Sequence, residues 1–334
     1  MYRIRWGRLI ILCTAFGVLC AALRGCAMAR NKSEAEEQTV AAMQVRVVPS
    51  VALSVYDQKQ KAALPMELEN YLVGVVAAEM PVSFSFEALK AQAVAARTYT
   101  VYHLIHGGCQ NNGSDICTSS ACCQAYADDD RLREKWGEAY QENIDRIAAA
   151  VNQTAGEILL YDGAPIDALY HSASGGATEN AESAFAVAVP YLVSVPSQNE
   201  TGTSRLLGEV RISRTDFCKK VNNAYPNAGL TEKQLAQQVE IKKTSDAGRV
   251  LQIRLGKTTI TGKQLRKLIS LDSTMFTLEF DGADIVFHTR GYGHGVGMSQ
   301  TGANSMALGG RSYREILLYY YTGVSFGAIR SIAS

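Results

Sequence analysis

The residue types in this chain that could break a glycosidic bond begin with one glutamate. Glu79 stands in the run VVAAEMP. Pro81 pushes Met80 out of the helical region, so the spacing predicts that Glu79 ends a helix. There the negative end of the helix dipole and the apolar neighbours both disfavour a charged carboxylate, which raises its pKa. A carboxylic acid kept protonated near neutral pH can donate to a glycosidic oxygen as that bond breaks. A solvated glutamate at a helix end would carry the same local pattern.

Two glycine-rich segments lie downstream, His171-Ser172-Ala173-Ser174-Gly175-Gly176 and Gly291-Tyr292-Gly293-His294-Gly295-Val296-Gly297-Met298-Ser299-Gln300. Glycine at every second position predicts a loop that other backbone approaches closely. Neither segment fits the dinucleotide fingerprint, and Gly256-Lys257-Thr258 lacks the earlier glycine of a phosphate loop. A serine hydrolase built on Ser174 with His171 or His294 lacks the G-x-S-x-G elbow. The third cluster is Cys109, Cys117, Cys122 and Cys123, just after His103 and His106. Such density reads as a structural zinc site or as two disulfides. Cys218 is expected to be a small core residue.

These groups need elements to hold them. Leu68, Leu72, Val75 and Ala78 recur at helical spacing after Pro65, predicting a helix from Pro65 to Glu79. A second helix is expected from Ser83 or Ser85 to His106. Its alanines would let neighbours pack closely, and Lys90 and Arg97 are its cations. A long polar helix is predicted over residues 128–151, with strands over residues 45–56, 157–161, 249–255, 275–280 and 284–289. A helix should start near Gly302. Together these give an α+β body with a helix pair and a smaller lobe over residues 201–270, and a cleft between the lobes.

Of the 334 residues, 47% are hydrophobic and 19% charged, enough for a sizeable core. Arg3, Arg5, Arg8, Arg24 and Arg30 fall in the first thirty positions, which contain no acid, so the remaining 28 basic residues face 32 acidic ones. That balance leaves no electrostatic footprint for nucleic acid. The uncharged residues 9–23 would span about 22 Å as a helix, against roughly 30 Å of hydrocarbon, and flanking arginines can cover the difference. We read residues 1–30 as a cytoplasmic tip and transmembrane anchor, residues 31–44 as a polar stalk, and residues 45–332 as the folded domain outside the cytoplasm. A cleaved secretory signal and a lipoprotein signal ending at Cys26 are the alternatives, and all three readings export the domain.

The blocks EMPVSFSFEALKAQAVAARTY, HSASGGATE and GYGHGVGMSQTGANSMALGG resemble the stage II sporulation protein D family in order and spacing. The resemblance implies a membrane-anchored lytic transglycosylase of peptidoglycan. Such an enzyme cuts between N-acetylmuramic acid and N-acetylglucosamine and leaves a 1,6-anhydro end. It also implies strands already stripped of stem peptides by a partner amidase, within an engulfment complex that includes a membrane protein. Relatives that only enhance an amidase imply the alternative, a non-enzymatic wall-binding protein. By the same resemblance Glu79 is the catalytic acid, needing no cofactor. Arg97, His171, Ser172, Ser174, Gly175, Gly176, His294, Ser299 and Gln300 line the substrate cleft. Some members bind zinc in the cysteine loop, with Cys122 standing where a histidine would be and Cys109 or His106 completing the set.

Overall fold

In a computed structural model of the protein, residues 50–109, 113–197, 199–200 and 206–329 are described. The anchor and stalk lie outside the described residues. Among the described residues no helix is long and apolar enough to cross a membrane.

The chain opens with an antiparallel hairpin, β1 (Ala52–Asp57) and β2 (Ala62–Glu67), and β1 also pairs in parallel with β3 (Ile116–Cys117). Pro65 belongs to β2 and not to the helix expected there. β2 is the edge of this sheet, where a missing N–H costs nothing. Helix α1 therefore starts later and runs Leu68–Glu79, and α2 covers Phe86–Ile105. The expected long polar helix is two, α3 (Asp129–Trp136) and α4 (Tyr140–Gln153). Gly137, at φ +53°, breaks it.

The first core wraps α2. Ala88, Ala91, Ala93, Ala95 and Ala96 are all buried. Their small side chains admit α1, α4, and β4 (Glu157–Tyr161). From the far end of the chain come α9 (Gln300–Leu308) and α10 (Tyr313–Tyr320). Short pairings finish this layer. β4 pairs with β5 (Ala164–Pro165) and with β16 (Ser325–Ala328). β6 (Tyr170–His171) runs parallel to β15 (Met298–Ser299), and β7 (Gly176–Ala177) pairs with β8 (Pro196–Ser197).

A second core gathers Phe217, Cys218, Ile253, Leu265, Ile285 and Phe287. Its sheets are β10 (Val239–Thr244), β11 (Val250–Leu255) and β12 (Thr258–Thr261), and, separately, β13 (Phe276–Asp281), β14 (Asp284–Arg290) and β9 (Leu207–Ser213). Helices α6 (Arg214–Ala224), α7 (Leu235–Gln238) and α8 (Gly262–Ile269) cover them. The smaller lobe thus extends past residue 270. β13 and β14, expected in the main body, pair with β9 instead.

Arg97 departs from the expectation that it lines the cleft. Its side chain is fully buried, and Nε and Nη2 grip the two Glu69 carboxylate oxygens at 2.9 and 2.6 Å. Nη2 also donates to Val151 O at 3.1 Å and Nη1 to Glu157 O at 3.3 Å. With every nitrogen spent inside, the guanidinium clamps α1, α2 and the α4–β4 connection and does not present itself to a substrate. Arg97→Met strands the Glu69 carboxylate and two carbonyls. It should lower stability by about 3–5 kcal/mol in denaturant unfolding, the usual cost of halving a buried ion pair. Stability within about 1 kcal/mol of the parent would return Arg97 to a surface role.

Candidate active site

Glu79 is the last residue of α1, followed by extended Met80 at ψ 144°. The carboxyl is partly buried and touched by two donors. Oε1 accepts from Ala125 N–H at 2.8 Å, and Oε2 accepts from Gln300 Nε2 at 3.1 Å. Burial raises its pKa above the ordinary carboxylate value, and the two donors pull only partly back. The result is an acid biased toward its protonated form, with a hydrogen-bond donor ready for the charge it acquires on giving the proton up.

Gln300 is placed by the start of α9. Ser299 caps that helix through Gly302 N–H at 3.1 Å, and Asn304 accepts from Ser85 N–H at 2.7 Å, locking α9 to the start of α2. Gln300 Nε2 also faces Gln92 Oε1 at 3.4 Å, and Gln92 Nε2 is buried without a partner. Gln92 is a site residue that the sequence reading missed. Its only signal was one amide among the alanines of AQAVAAR.

The two glycine-rich segments come together as expected. His171 pairs in register with Ser299, and the His171 and His294 rings lie 5.7 Å apart. Gly291, Gly293, Gly295 and Gly297 all have positive φ, between 72° and 109°. At Gly295 a side chain would strike the Arg249 guanidinium, with the built Cβ 2.3 Å from Cζ. His171 shares a hydrogen bond of 3.1 Å with Val296 O through Nδ1, while Nε2 is buried with no partner. Burial, then His294 and Arg249, hold His171 well below the usual histidine pKa. His294 accepts from Val296 N–H at Nδ1, so Nε2 carries its proton, and burial with Arg249 and Arg266 pushes its pKa down to about 4. Both rings are neutral over the physiological range. They can serve as hydrogen-bonding groups and not as cations.

Ser174, Gly175 and Ser299 converge on a second carboxylate that the sequence reading did not single out. Glu200, 4% exposed, accepts from Ser174 N–H (2.9 Å), Ser174 Oγ (2.6 Å), Gly175 N–H (3.2 Å), Ser197 Oγ (2.7 Å) and Ser299 Oγ (2.6 Å). It lies in PSQNE, a stretch without periodicity, so only the tertiary structure reveals it. Ser172 contributes through its carbonyl, which accepts Thr301 N–H and Oγ1 at 2.9 Å each. Gly176 N–H reaches Ser174 Oγ at 3.4 Å.

The cysteine sulfurs also meet. The Sγ atoms of Cys109, Cys117, Cys122 and Cys123 all lie within 4.8 Å of one another, with 3.2 Å between Cys109 and Cys122 and 3.7 Å between Cys122 and Cys123. Of the two candidates for the fourth position, Cys109 is the one whose sulfur lies with the other three. His106 instead makes a 2.7 Å hydrogen bond with Tyr102 O. The loop leads through Gln124, which accepts from Tyr170 OH at 2.8 Å, into Ala125, the donor to Glu79.

Residues 56–161, which hold Glu79, Arg97 and the cysteine loop, match the family model described as SpoIID, stage II sporulation protein. Stage II sporulation protein D of Bacillus amyloliquefaciens is 35% identical over 85% of this chain and 81% of its own length. The chain belongs to the stage II sporulation protein D family. The Bacillus subtilis stage II sporulation protein D is 34% identical over 82% of this chain and 78% of its own. A Bacillus subtilis protein named amidase enhancer is 29% identical over 76% of this chain but only 40% of itself.

The Glu79–Gln300 hydrogen bond sets a pH dependence that can be measured. A general acid works only while protonated, so any reaction that draws its proton from Glu79 should slow as pH rises through the raised pKa of Glu79. Gln300→Ala removes a donor that favours the carboxylate and should move this alkaline limb to still higher pH. A limb that stays in place, or moves to lower pH, would detach Gln300 from the ionisation of Glu79.

Proposed function

We propose that the protein is a lytic transglycosylase that cleaves peptidoglycan glycan strands between N-acetylmuramic acid and N-acetylglucosamine. The observation that carries this is the Glu79 carboxyl, biased toward its protonated form by burial and met by Gln300 Nε2, while the Glu200 carboxylate, reached from the adjacent Ser299, is already occupied by five donors. A hydrolase needs a second carboxylate as nucleophile or as base for water. A transglycosylase needs one group used twice. Glu79 gives its proton to the leaving glycosidic oxygen while Gln300 Nε2 steadies the carboxylate that forms. The muramoyl 6-hydroxyl then attacks its own anomeric carbon and returns its proton to Glu79. The products are a 1,6-anhydro end and a free 4-hydroxyl, with no water consumed.

Membership of a sporulation family supports a setting in the engulfment membranes, with the domain outside the cytoplasm on its N-terminal anchor. The partners in that setting are a peptide-stripping amidase and a membrane protein of the same complex. Incubating the full-length chain with peptide-free strands should yield anhydro-ended fragments by mass spectrometry. Glu79→Gln should slow this about a thousandfold, the middle of the range for general acid catalysis. Reducing-ended fragments would mean a hydrolase. Intact strands that still bind would favour the wall-binding reading that the amidase-enhancer relative brings.

The cysteine cluster fits zinc. Four thiolates at about 2.3 Å from a tetrahedral ion stand about 3.8 Å apart, close to the separations found, and a covalent disulfide would bring two sulfurs to about 2.0 Å. Cys109, Cys117, Cys122 and Cys123 would hold the ion and leave no open position, so zinc would fix the loop that carries Ala125 N–H to Glu79 and would take no part in the reaction. We expect about one zinc per chain by elemental analysis, and a lower melting temperature after chelation. Purified protein free of zinc with all four thiols oxidised would overturn this.

A further inference from the structure

A cavity of about 720 Å³ lies between the short helix α5 (Ala181–Phe185) and the second core. Of the expected substrate residues only His294 lines it, and Glu79 is not among its walls. Four cations surround this space, Lys243, Arg249, Lys263 and Arg266, against Glu179 and Glu182. Glu179 is already engaged, by Asn180 N–H at 2.9 Å and by Ser245 Oγ. The cations find only neutral acceptors. Arg249 donates to Ser273 Oγ at 2.9 Å and Ser174 O at 2.8 Å, and Arg266 to Leu271 O at 3.1 Å.

Arg249 is 1% exposed, and its Nε has no hydrogen-bond partner. Glu179 and Glu200 act on its charge, but its hydrogen bonds go to neutral oxygens and burial still disfavours the cation, so an anion entering the cavity would offset that cost. One wall is aromatic. Phe185 is 39% exposed, with its ring 5.3 Å from Lys263 Nζ and 5.8 Å from the His294 ring. An open ring flanked by a cation and a hydrogen-bonding imidazole suits a pyranose, whose C–H face is apolar and whose substituents are polar.

We propose that this cavity is a subsite for a carboxylate-bearing sugar, with Phe185 under the ring and Lys243, Arg249, Lys263 and Arg266 around the carboxylate. The inference rests on the glycan reading above and deepens it. Removing a stem peptide from muramic acid leaves its lactyl group as a free carboxylate, whereas an intact stem is an amide there. The cavity thus gives the chain its own means of preferring stripped strands. It adjoins the reactive side through His294, whose ring faces His171, and through Arg249, which holds the Ser174 carbonyl.

The test measures binding without cleavage, in the full-length chain carrying Glu79→Gln. The probes are peptide-free strands and the same strands with their carboxylates capped as methylamides. Natural strands should bind more tightly, and the preference should shrink at high salt. Adding Lys243→Gln and Lys263→Gln, both exposed and so harmless to folding, should weaken natural strands about fivefold, as expected for two partly solvated charge contacts. Capped strands should not respond to these changes. Equal binding of the two strand types, or equal loss on both, would overturn the subsite. Displacement of natural strands by poly(glycerol phosphate) at matched charge would assign the cations to a phosphate polymer and overturn it also. Carboxylate-dependent binding in a chain whose parent releases no anhydro product would keep the subsite and remove the transglycosylase reading. Anhydro product with binding blind to the carboxylate would do the reverse.

Discussion

A single buried carboxylate organises the loops of the site. Glu200 draws hydrogen bonds from Ser174, Gly175, Ser197 and Ser299, which arrive from three separate stretches of chain. Charge-assisted bonds of this kind are worth roughly 1.5–3 kcal/mol each, and the charge that makes them strong would be costly to bury if any were missing. That mutual dependence explains three serines and a glycine at fixed places in segments with little regular structure. Ser299 spends one lone pair direction on α9 and its proton on Glu200, so the same side chain caps the helix and ties it to the HSASGG loop. Gln300, the next residue, inherits its position at Glu79 from that arrangement.

The two glutamates then divide the work by environment. Glu200 is buried and fully supplied with donors, so its oxygens are not free to take a proton from a hydroxyl or to attack a sugar. Glu79 is buried enough to disfavour its charge but meets only Ala125 N–H and Gln300 Nε2. A group used first as acid and then as base must avoid both extremes. Too many donors would hold it ionised, and none would prevent it from carrying charge between the two transfers. The step from α1 to α2 around Met80-Pro81 matters for this reason, since it leaves Glu79 at a helix end facing the cysteine loop and α9.

What was legible in the sequence follows from how local each signal was. The Met-Pro stop placed Glu79 at the end of its helix, and alternating glycines marked the loop whose four positive φ values the structure bears out. The four cysteines were dense enough to read as one cluster. Long-range partnerships were not legible. Pro65 suggested a helix start, yet it sits where an edge strand tolerates proline. Arg97 looked available because its helix is otherwise small and apolar, but Glu69, 28 residues earlier, takes it inward. Glu200 and Arg249 had no pattern at all, because what defines them is convergence from segments far apart in the chain.

The cysteine loop joins the catalytic question to the folding one. Cys122 and Cys123 stand just before Gln124 and Ala125, so the geometry of the sulfur cluster is also the geometry of the Ala125 N–H that restrains Glu79. Gln124 fixes the same stretch from the other side, by donating to Thr100 on α2 at 3.0 Å and accepting from Tyr170, the residue before His171. A loop of this length without regular structure would ordinarily fluctuate by more than a hydrogen bond tolerates. Held at Gln124, and at the sulfurs when the proposed zinc is bound, it can keep a backbone donor within 2.8 Å of the Glu79 carboxyl. Glu79 is therefore set by one donor from the cysteine loop and one from a capped helix, and a disturbance at either anchor reaches it as a change in its readiness to give up a proton.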